Sequence, residues 1–241
     1  MIRFGKNKKK PHITAIIAAG GSSARMNGEN KLLMMIGDKP VMAHSLLAFQ
    51  NCSEIDEIIV SAHRDRVDEY AALAVRYGID KLSKVVIGGE SRLHSVYNAV
   101  VQVSEQTNYI LVHDAARPLV SDGDIKAVIA DTLKYNCAAA SNKVTDTVKR
   151  VSNGLAYETV DRTDLYTVQT PQGADRALLA AALKKAIDVK DDTVTDECSA
   201  LEKLGMKPYM SKCSTGNIKV TYPEDIFLAN AIYDRRIKQC E

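Results

Sequence analysis

Short apolar runs alternate with amphipathic stretches along most of this chain, and this alternation limits its fold more than any other feature. Strands are predicted at residues 14–18, 57–62, 84–87 and 109–113. Helices are predicted at about 41–49, 64–77, 92–104, 122–135, 174–187, 196–204 and 223–236. Strands that alternate with helices form right-handed βαβ units, so the sequence predicts a single α/β domain with a mostly parallel sheet.

The composition is that of a globular protein with a core of small aliphatic side chains. The 241 residues are 46% hydrophobic and include no Trp, which suits buried parallel strands. No apolar run approaches the roughly 18 residues that span a bilayer, and no apolar segment follows the basic start as in a secretory signal. We therefore expect no membrane partner.

The positive charge is concentrated at the amino terminus. Residues 1–10 carry five cations and no anion, which leaves 27 basic and 30 acidic residues in the rest of the chain. A run such as KNKKK can touch nucleic acid or anionic lipid, but a solvated extension accounts for it better. We therefore divide the chain into a basic extension, 1–12, and a domain, 13–241, without a nucleic-acid partner.

The cysteines indicate a reducing compartment. Five of them, at positions 52, 137, 198, 213 and 240, are widely spaced, and the sequence has no CxxC pair or Cys/His cluster. This pattern is neither a disulfide framework nor a zinc site. We therefore expect a cytoplasmic protein.

Residues 138–168 interrupt the alternation. Two β-rich segments, 145–151 and 155–160, have polar residues at alternate positions and are joined by Ser152-Asn153-Gly154, which is a hairpin signal. So many polar side chains leave little to bury against the main core. We predict a protruding β-arm that packs on something else.

The segment IIAAGGSSARMNGENK, residues 16–31, is the first candidate ligand site. Small residues let a backbone approach a ligand, successive amides bind anions, and Arg25 and Lys31 add cations, which together favour a nucleoside triphosphate. The Walker pattern and the dinucleotide fingerprint GxGxxG are both absent from the sequence. Taken alone, the segment is equally compatible with an ordinary tight turn and two solvated cations.

Further candidates follow other strands, and the carboxyl ends of parallel strands meet at the edge where open α/β sheets bind ligands. These candidates are Gly88-Gly89 with Arg92 and Ser95, then Asp114 with Arg117, and finally Lys219. Each has an ordinary alternative as a turn, a helix cap or a solvated charge, but their convergence on one edge favours a site. Asp114 is a candidate Mg²⁺ ligand or hydroxyl acceptor. His113 is predicted to lie in the core.

Several motifs resemble those of a known family. GGSSARM with a downstream lysine is similar to the GGxGxRM…K signature of sugar-type nucleotidyltransferases. The segments GGESRLHSV, VHDAARP, TDTVKR, TVDR, TPQ, TDECSALEKLG and NIKVTYPEDI follow in the order of the 2-C-methyl-D-erythritol 4-phosphate cytidylyltransferase family. The resemblance covers residues 13–236. It implies a single Rossmann-like nucleotidyltransferase domain that forms a homodimer through the arm at 138–168.

The resemblance also implies a reaction and a set of site residues. The reaction is transfer of CMP from CTP to 2-C-methyl-D-erythritol 4-phosphate in isoprenoid biosynthesis, with release of pyrophosphate and with Mg²⁺ as the counter-charge of the triphosphate. The implied catalytic residues are Arg25, Lys31, Arg162 and Lys219. The implied nucleotide contacts are Ala18, Ala19, Gly20, Gly21, Gly89, Ser95, Asp114 and Ala115. The implied acceptor contacts are Asp114, Arg117, Thr147, Arg162, Thr170 and Thr195.

Three other functions fit parts of the pattern. A D-ribitol 5-phosphate cytidylyltransferase has the same chemistry, but that family tends towards HDSVRP and lacks the TDExSALE run. A non-catalytic nucleotide-binding module would not need Arg25, Lys31, Asp114 and Lys219 together. A nicotinamide dehydrogenase would need the missing dinucleotide fingerprint. The chain also departs from the family pattern at Asn30, where a proline is usual.

Overall fold

A seven-stranded sheet organises the computed structural model, which describes residues 10–21 and 30–238. In spatial order its strands are β11 (Tyr209–Lys212), β7 (Cys137–Lys143), β10 (Tyr166–Asp175), β6 (Thr107–Asp114), β1 (His12–Ala19), β4 (Glu57–Ala62) and β5 (Leu82–Ile87). Two separate pairs join β2 (Met35–Ile36) to β3 (Lys39–Pro40) and β8 (Val148–Ser152) to β9 (Leu155–Val160).

Helices cover both faces of the sheet. They are α1 (Val41–Asn51), α2 (Val67–Arg76), α3 (Arg92–Val100), α4 (Asp122–Tyr135), α5 (Arg176–Asp188), α6 (Glu197–Glu202) and α7 (Glu224–Lys238). Local chemistry sets their ends. For example, Ser121 and Asp124 form a reciprocal capping box at the start of α4, and Asn136 ends that helix in the left-handed conformation.

The two-residue period of β1 divides the core into two layers. Ile13, Ala15 and Ile17 pack into a cluster with buried residues of α1, α2, α4 and α7. Ile16 points to the other face and packs with residues of α3, α5 and α6. Because both faces are covered, β1 is apolar at almost every position, as expected for a central parallel strand.

The predicted α/β class and mostly parallel sheet are confirmed. β1 pairs parallel with β4 and β6, β4 pairs parallel with β5, and β11 pairs parallel with β7. Within the described residues, β10 is the strand that opposes this direction, since it runs antiparallel to both β6 and β7.

The prediction at 138–168 needs new boundaries. Ala138–Ala140 are buried in β7, and Val168 already pairs in β10, so both ends of the predicted arm belong to the main sheet. The segment that leaves the sheet is 144–165. Its β8–β9 hairpin is confirmed, and Asn153 and Gly154 form its turn with positive φ of 50° and 80°.

Several predicted helices differ from the observed ones at their ends. The helix predicted from 174 begins at Arg176, because residues 174 and 175 still belong to β10 and Asp175 accepts from the amides of Ala177 and Leu178 as the cap. The helix predicted at 92–104 ends at Val100. The one predicted at 64–77 is a 3₁₀ turn, Arg64–Arg66, followed by α2.

Most of the basic extension predicted at 1–12 lies outside the described residues, and residue 12 already belongs to β1. Among the helices that the structure describes, none combines the length and the apolar character that crossing a bilayer requires.

Candidate active site

A cavity of about 510 Å³ opens at the carboxyl ends of β1 and β6. This is the sheet edge where the sequence predicted a ligand site. Many of the predicted site residues line it, namely Ala18, Ala19, Gly20, Gly21, Lys31, Gly89, Ser95, Asp114 and Lys219. The structure therefore brings these separated segments together at one cavity.

Ser95 fills the space between the two glycine segments. A Cβ at Gly20 would stand 3.2 Å from the Ser95 hydroxyl oxygen, and a Cβ at Gly88 only 2.7 Å from it. The same hydroxyl oxygen accepts the Gly89 N–H at 3.0 Å. Glycine is thus required here for close packing, and that packing leaves the backbone at the cavity wall without side chains above it.

Asp114 is the centre of the charged groups at the cavity. Its Oδ1 accepts from Nε and Nη2 of Arg92, each at 3.2 Å, and its Oδ2 accepts from Lys219 Nζ at 2.7 Å. Arg92 in turn donates to both oxygens of Glu197, at 2.7 and 3.0 Å. The result is a line of alternating charge, Glu197–Arg92–Asp114–Lys219, which we call the charge line.

The electrostatics of the charge line keep Asp114 and Arg92 ionised. Burial disfavours the charged form of Asp114, but Arg92 and Lys219 outweigh burial and hold the pKa of that carboxyl well below its ordinary value. Burial likewise opposes the charge of Arg92, yet Glu197 and Asp114 raise the pKa of its guanidinium. Asp114 therefore presents a permanent negative charge at the cavity wall.

His113 and Thr170 support Asp114 from below. The Asp114 N–H donates to Thr170 Oγ1 at 3.0 Å, and that hydroxyl lies 3.1 Å from His113 Nδ1. His113 Nε2 lies 3.1 Å from the carbonyl oxygen of Arg117, which can only accept, so a neutral ring with its proton on Nε2 satisfies every partner. Burial lowers the pKa of His113 to about 4, in agreement with that neutral form and with its predicted place in the core.

Lys31 reaches the site from a short 3₁₀ helix, Lys31–Leu33. Asn30 caps this helix by accepting the Leu32 N–H at 3.1 Å, and its amide donates to the Tyr70 hydroxyl at 3.2 Å. The Lys31 ammonium donates to the Val220 carbonyl at 2.9 Å. The asparagine that replaces the usual proline thus fixes the segment that carries Lys31, next to the loop that carries Lys219.

Other predicted site residues lie apart from the cavity. Arg25 lies outside the described residues. Thr147 and Arg162 are exposed on the arm segment 144–165, and Thr195 lines a neighbouring cavity of about 820 Å³ on the far side of Arg92. Within a single chain, the predicted acceptor contacts therefore do not form one surface.

Three further predicted contacts are largely buried or engaged within the protein. Ala115 is fully buried, and its N–H donates to the Ala18 carbonyl at 3.0 Å. Arg117 donates to the Asn217 carbonyl at 2.9 Å, and burial lowers its pKa. With Thr170 below Asp114, these residues hold the ends of β1 and β6 and the 217–221 loop in register.

Arg92 was predicted only as a candidate at the sheet edge, and Glu197 and Gln172 were not among the predicted site residues. The Gln172 side chain accepts the Cys198 N–H at 2.9 Å and donates to Asp196 at 2.8 Å, so it fixes the start of α6. The available signals were the Arg after GGES, the Gln of TPQ and the Glu of TDEC. None of these three residues was assigned a role from the sequence.

The described residues contain no group of three or more His, Cys, Asp or Glu side chains arranged to hold a metal ion. Asp114 can still contribute one ligand, because its Oδ2 has two lone pairs and accepts a single hydrogen bond, from Lys219, whereas Oδ1 already accepts two from Arg92. One carboxylate together with substrate phosphates is a common environment for Mg²⁺. The donor set therefore fits a metal ion that arrives with a nucleotide, and not a site built by protein alone.

Comparisons of sequence point to one family. The family model described as 2-C-methyl-D-erythritol 4-phosphate cytidylyltransferase matches residues 13–235. A protein of that name from Bacillus cytotoxicus is 38% identical over 219 residues, which cover 90% of this chain and 96% of the relative. Another, from Halalkalibacterium halodurans, is 36% identical over 220 residues, which cover 91% and 96%.

Solved structures agree with the sequence comparisons. The 4-diphosphocytidyl-2C-methyl-D-erythritol synthase of Anaerococcus prevotii superposes with a TM-score of 0.83 at 28% identity, covering 93% of this chain and 97% of that one. The 2-C-methyl-D-erythritol 4-phosphate cytidylyltransferase of Francisella tularensis gives 0.78 at 29% identity, covering 92% and 99%.

Proposed function

Because this chain belongs to the 2-C-methyl-D-erythritol 4-phosphate cytidylyltransferase family, it is a nucleotidyltransferase, and we propose that it transfers CMP from CTP to 2-C-methyl-D-erythritol 4-phosphate. The products are pyrophosphate and 4-diphosphocytidyl-2-C-methyl-D-erythritol, an intermediate of isoprenoid biosynthesis. The observation that carries this proposal is the ionised Asp114, held between Arg92 and Lys219 beside a cavity with glycine walls. Fixed cations and a backbone wall suit a triphosphate, and the carboxylate suits the hydroxyls of ribose or acceptor.

In the proposed reaction an oxygen of the acceptor phosphate attacks the α-phosphorus of CTP in line. A new P–O bond forms as the bond between the α-phosphorus and its bridging oxygen breaks, and the electron pair leaves with pyrophosphate. The protein performs no covalent step, so its contribution is positioning and charge stabilisation. Lys31 stabilises the α-phosphoryl oxygens, together with Arg25 by resemblance. Lys219 orients the acceptor phosphate.

Mg²⁺ belongs to this proposal as a companion of the triphosphate. Asp114 would supply a carboxylate oxygen to it, beside oxygens of the nucleotide. When bound, the ion would neutralise part of the charge that develops on the leaving pyrophosphate.

A homodimer is also part of the proposal. The arm exposes large apolar side chains, with Val151, Leu155 and Tyr157 at 56%, 76% and 66% exposure. Thr147 and Arg162 lie on the same arm, away from their own cavity. In a two-fold dimer each arm would cover its apolar residues on the other subunit and bring Arg162 to that subunit's acceptor phosphate.

The four cysteines in the described part of the chain are free thiols, which supports a reducing, cytoplasmic compartment.

Pyrophosphate release tests the proposed activity. The protein is incubated with Mg²⁺, CTP and either 2-C-methyl-D-erythritol 4-phosphate or D-ribitol 5-phosphate, and with UTP in place of CTP. We expect turnover with CTP and the methylerythritol acceptor, and weak turnover with UTP, because a wrong base leaves buried polar groups unpaired. Preference for the ribitol acceptor would establish the alternative activity. CTP binding without turnover for either acceptor would establish a non-catalytic module.

A further inference from the structure

Glu197 lies at the buried end of the charge line and has no role in the proposed reaction so far. Its side chain is only 2% exposed, and it holds Arg92 through two hydrogen bonds, of 2.7 Å to Nη1 and 3.0 Å to Nη2. Two parallel hydrogen bonds between a carboxylate and a guanidinium fix both the distance and the orientation of the pair. Glu197 therefore fixes the Nη1–Nη2 edge of the Arg92 guanidinium, and Asp114 contacts the neighbouring Nε–Nη2 edge.

The position of Glu197 is itself fixed. It is the first residue of α6, and its neighbour Asp196 forms a capping box with Ser199. Gln172 of β10 then ties this helix start to the sheet through Asp196 and the Cys198 amide. The position of Glu197 is thus fixed relative to the sheet, and its side chain does not line the 510 Å³ cavity.

The orientation of the Asp114 carboxylate depends on how Glu197 holds Arg92. The guanidinium of Arg92 is shared between two carboxylates. Nη1 and Nη2 donate to Glu197, and Nε and Nη2 donate to one oxygen of Asp114. The second oxygen of Asp114 remains for Lys219. Without the charge of Glu197, Arg92 is released to pair with both oxygens of Asp114, in competition with Lys219.

We propose that Glu197 is a positioning residue for the acceptor: acting through Arg92, it holds the Asp114 carboxylate in the orientation that keeps Lys219 at the acceptor phosphate. This inference rests on the proposed function for the role of Lys219. Loss of Glu197 should then affect the acceptor more than CTP. Asp114 is a predicted contact of both substrates, but CTP also keeps the glycine segments, Ser95 and Lys31, which are not members of the charge line.

The alternative is a purely structural ion pair that ties α6 to α3. Such a pair would change stability and would alter the kinetics for both substrates to a similar extent. The separation of the two KM values distinguishes the roles, because it reports on which ligand is misplaced.

The test uses the full chain in four variants: Glu197→Gln, Arg92→Lys, the double variant, and Glu202→Gln as the control. Glu202 lies on the same helix and is exposed. KM for CTP, KM for 2-C-methyl-D-erythritol 4-phosphate, kcat and thermal unfolding are measured for each. If the wild-type protein shows no turnover, the proposed function has failed. Calorimetric measurement of acceptor binding in the presence of CTP then still compares the variants and tests the role of Glu197 by itself.

We expect Glu197→Gln and Arg92→Lys each to lower kcat/KM for the acceptor by about 10²-fold, the scale for a misplaced reacting group, mainly through a rise in the acceptor KM, while KM for CTP stays within about twofold. The double variant should lose no more than about the worse single variant, since both changes break one connection. Glu202→Gln should match wild type.

Equal changes in both KM values, an unchanged acceptor KM, or fully additive losses in the double variant would overturn the inference. If Glu197→Gln does not fold, the acceptor KM of Arg92→Lys, compared with its KM for CTP, decides between the two roles. Unfolding of both variants at the assay temperature would make the pair a structural tie and would also overturn it.

Discussion

The ammonium of Lys219 lies 2.7 Å from Oδ2 of Asp114, although 105 residues separate them in the chain. Asp114 ends a central strand, whereas Lys219 comes from an irregular loop that the Val220 N–H ties to the Ala116 carbonyl at 2.8 Å. This contact closes the site between a rigid strand and a loop held by its backbone. It also gives Asp114 a second cationic partner beside Arg92. Removal of the Asp114 carboxylate should therefore lower both the stability and the activity of the protein.

Asp114→Asn should destabilise the protein and impair catalysis. The carboxyl is 12% exposed, and its loss leaves Arg92 and Lys219 without their shared counter-charge. We expect the free energy of unfolding to fall by about 3 kcal/mol, and kcat/KM to fall by about 10²-fold or more. Urea unfolding and pyrophosphate release measure the two effects.

The matched control for that change is Asp188→Asn. Asp188 pairs with Lys184 on the surface of α5, where both side chains are more than half exposed. We expect an effect below about 1 kcal/mol. A similar loss of stability in both variants would contradict the special place of Asp114.

Gly89→Ala should weaken CTP binding. The new Cβ would overlap the Cβ of His94 and stand 3.1 Å from the His94 backbone carbon, so the loop must move. Holding the loop in its CTP-binding position against this overlap would cost about 1–3 kcal/mol, which corresponds to a rise in KM for CTP of about fivefold to 150-fold. Steady-state kinetics with varied CTP measure it.

Gly123→Ala is the control for the glycine substitution. Gly123 is exposed in α4, and its nearest neighbour would be 3.8 Å from the added Cβ. Alanine there should stabilise the helix by about 0.5–1 kcal/mol and leave KM unchanged. Equal KM values for the two variants would show that the tight packing at Gly89 does not shape the nucleotide site.

Acidification should destabilise the fold through His113. Burial lowers its pKa from 6.5 to about 4 in the folded protein, so between these values the unfolded chain binds the proton and the folded protein does not. This contribution is complete above about pH 6.5 and is lost as the pH falls towards 4, to a total of about 3 kcal/mol. Urea unfolding at several pH values measures the slope.

His113→Gln isolates that contribution. The variant lacks the titrating ring, so its stability should fall less steeply between pH 6.5 and 4, whatever its absolute stability. His44, whose pKa is also lowered mainly by burial, remains in both proteins and cancels in the comparison. Identical slopes in wild type and variant would disprove the assignment.

Subunit mixing tests the arm. Arg162→Ala and Lys31→Ala proteins, each nearly inactive alone, are mixed and allowed to exchange subunits. If Arg162 acts on the partner's site, one site of each heterodimer has both residues and the other has neither. An equal mixture should then recover about a quarter of wild-type activity. Pyrophosphate release before and after exchange measures it.

A mixture of Lys219→Ala and Lys31→Ala serves as the control. Both residues belong to the same cavity of one chain, so every site in that mixture keeps one defect and activity should not return. Recovery in the control, or no recovery with Arg162→Ala after verified exchange, would refute action across the interface.

Much of the fold could be predicted because the spacing of apolar residues in the sequence matches the positions that are buried in the structure. The apolar runs of β1 and β6 identify central strands, and Asp114 follows as the residue at a strand end. β7 and β10 were missed as sheet strands because Ala138–Ala140 and Gly173 have small side chains, which give no two-residue contrast. The packing explains this choice: a Cβ at Gly173 would overlap the Thr132 hydroxyl of α4, which covers that strand.

The site was harder to predict where a charge is buried. Glu197 stands at the start of a helix, where a carboxylate is ordinarily a solvated partner of the helix dipole. Only the fold shows that Arg92 reaches it from 105 positions earlier in the chain. Arg162 and Thr147 present the reverse case, since they do not line the cavity of their own chain and only the second subunit of the proposed homodimer would bring them to a cavity.

The reversed direction of β10 has a consequence for the arm. Because the chain leaves the sheet at the end of β7 and returns at the start of β10, both bases of the arm are fixed at the substrate edge, and the Val144 N–H closes them by donating to the Leu165 carbonyl at 3.0 Å. Residues added or removed at the Ser152–Gly154 tip would change how far the arm extends without shifting any strand register. The length of the arm and the geometry of the cavity are thus separately adjustable, and variants with a longer or shorter hairpin would retain an intact cavity while altering the fit between the subunits of the proposed homodimer.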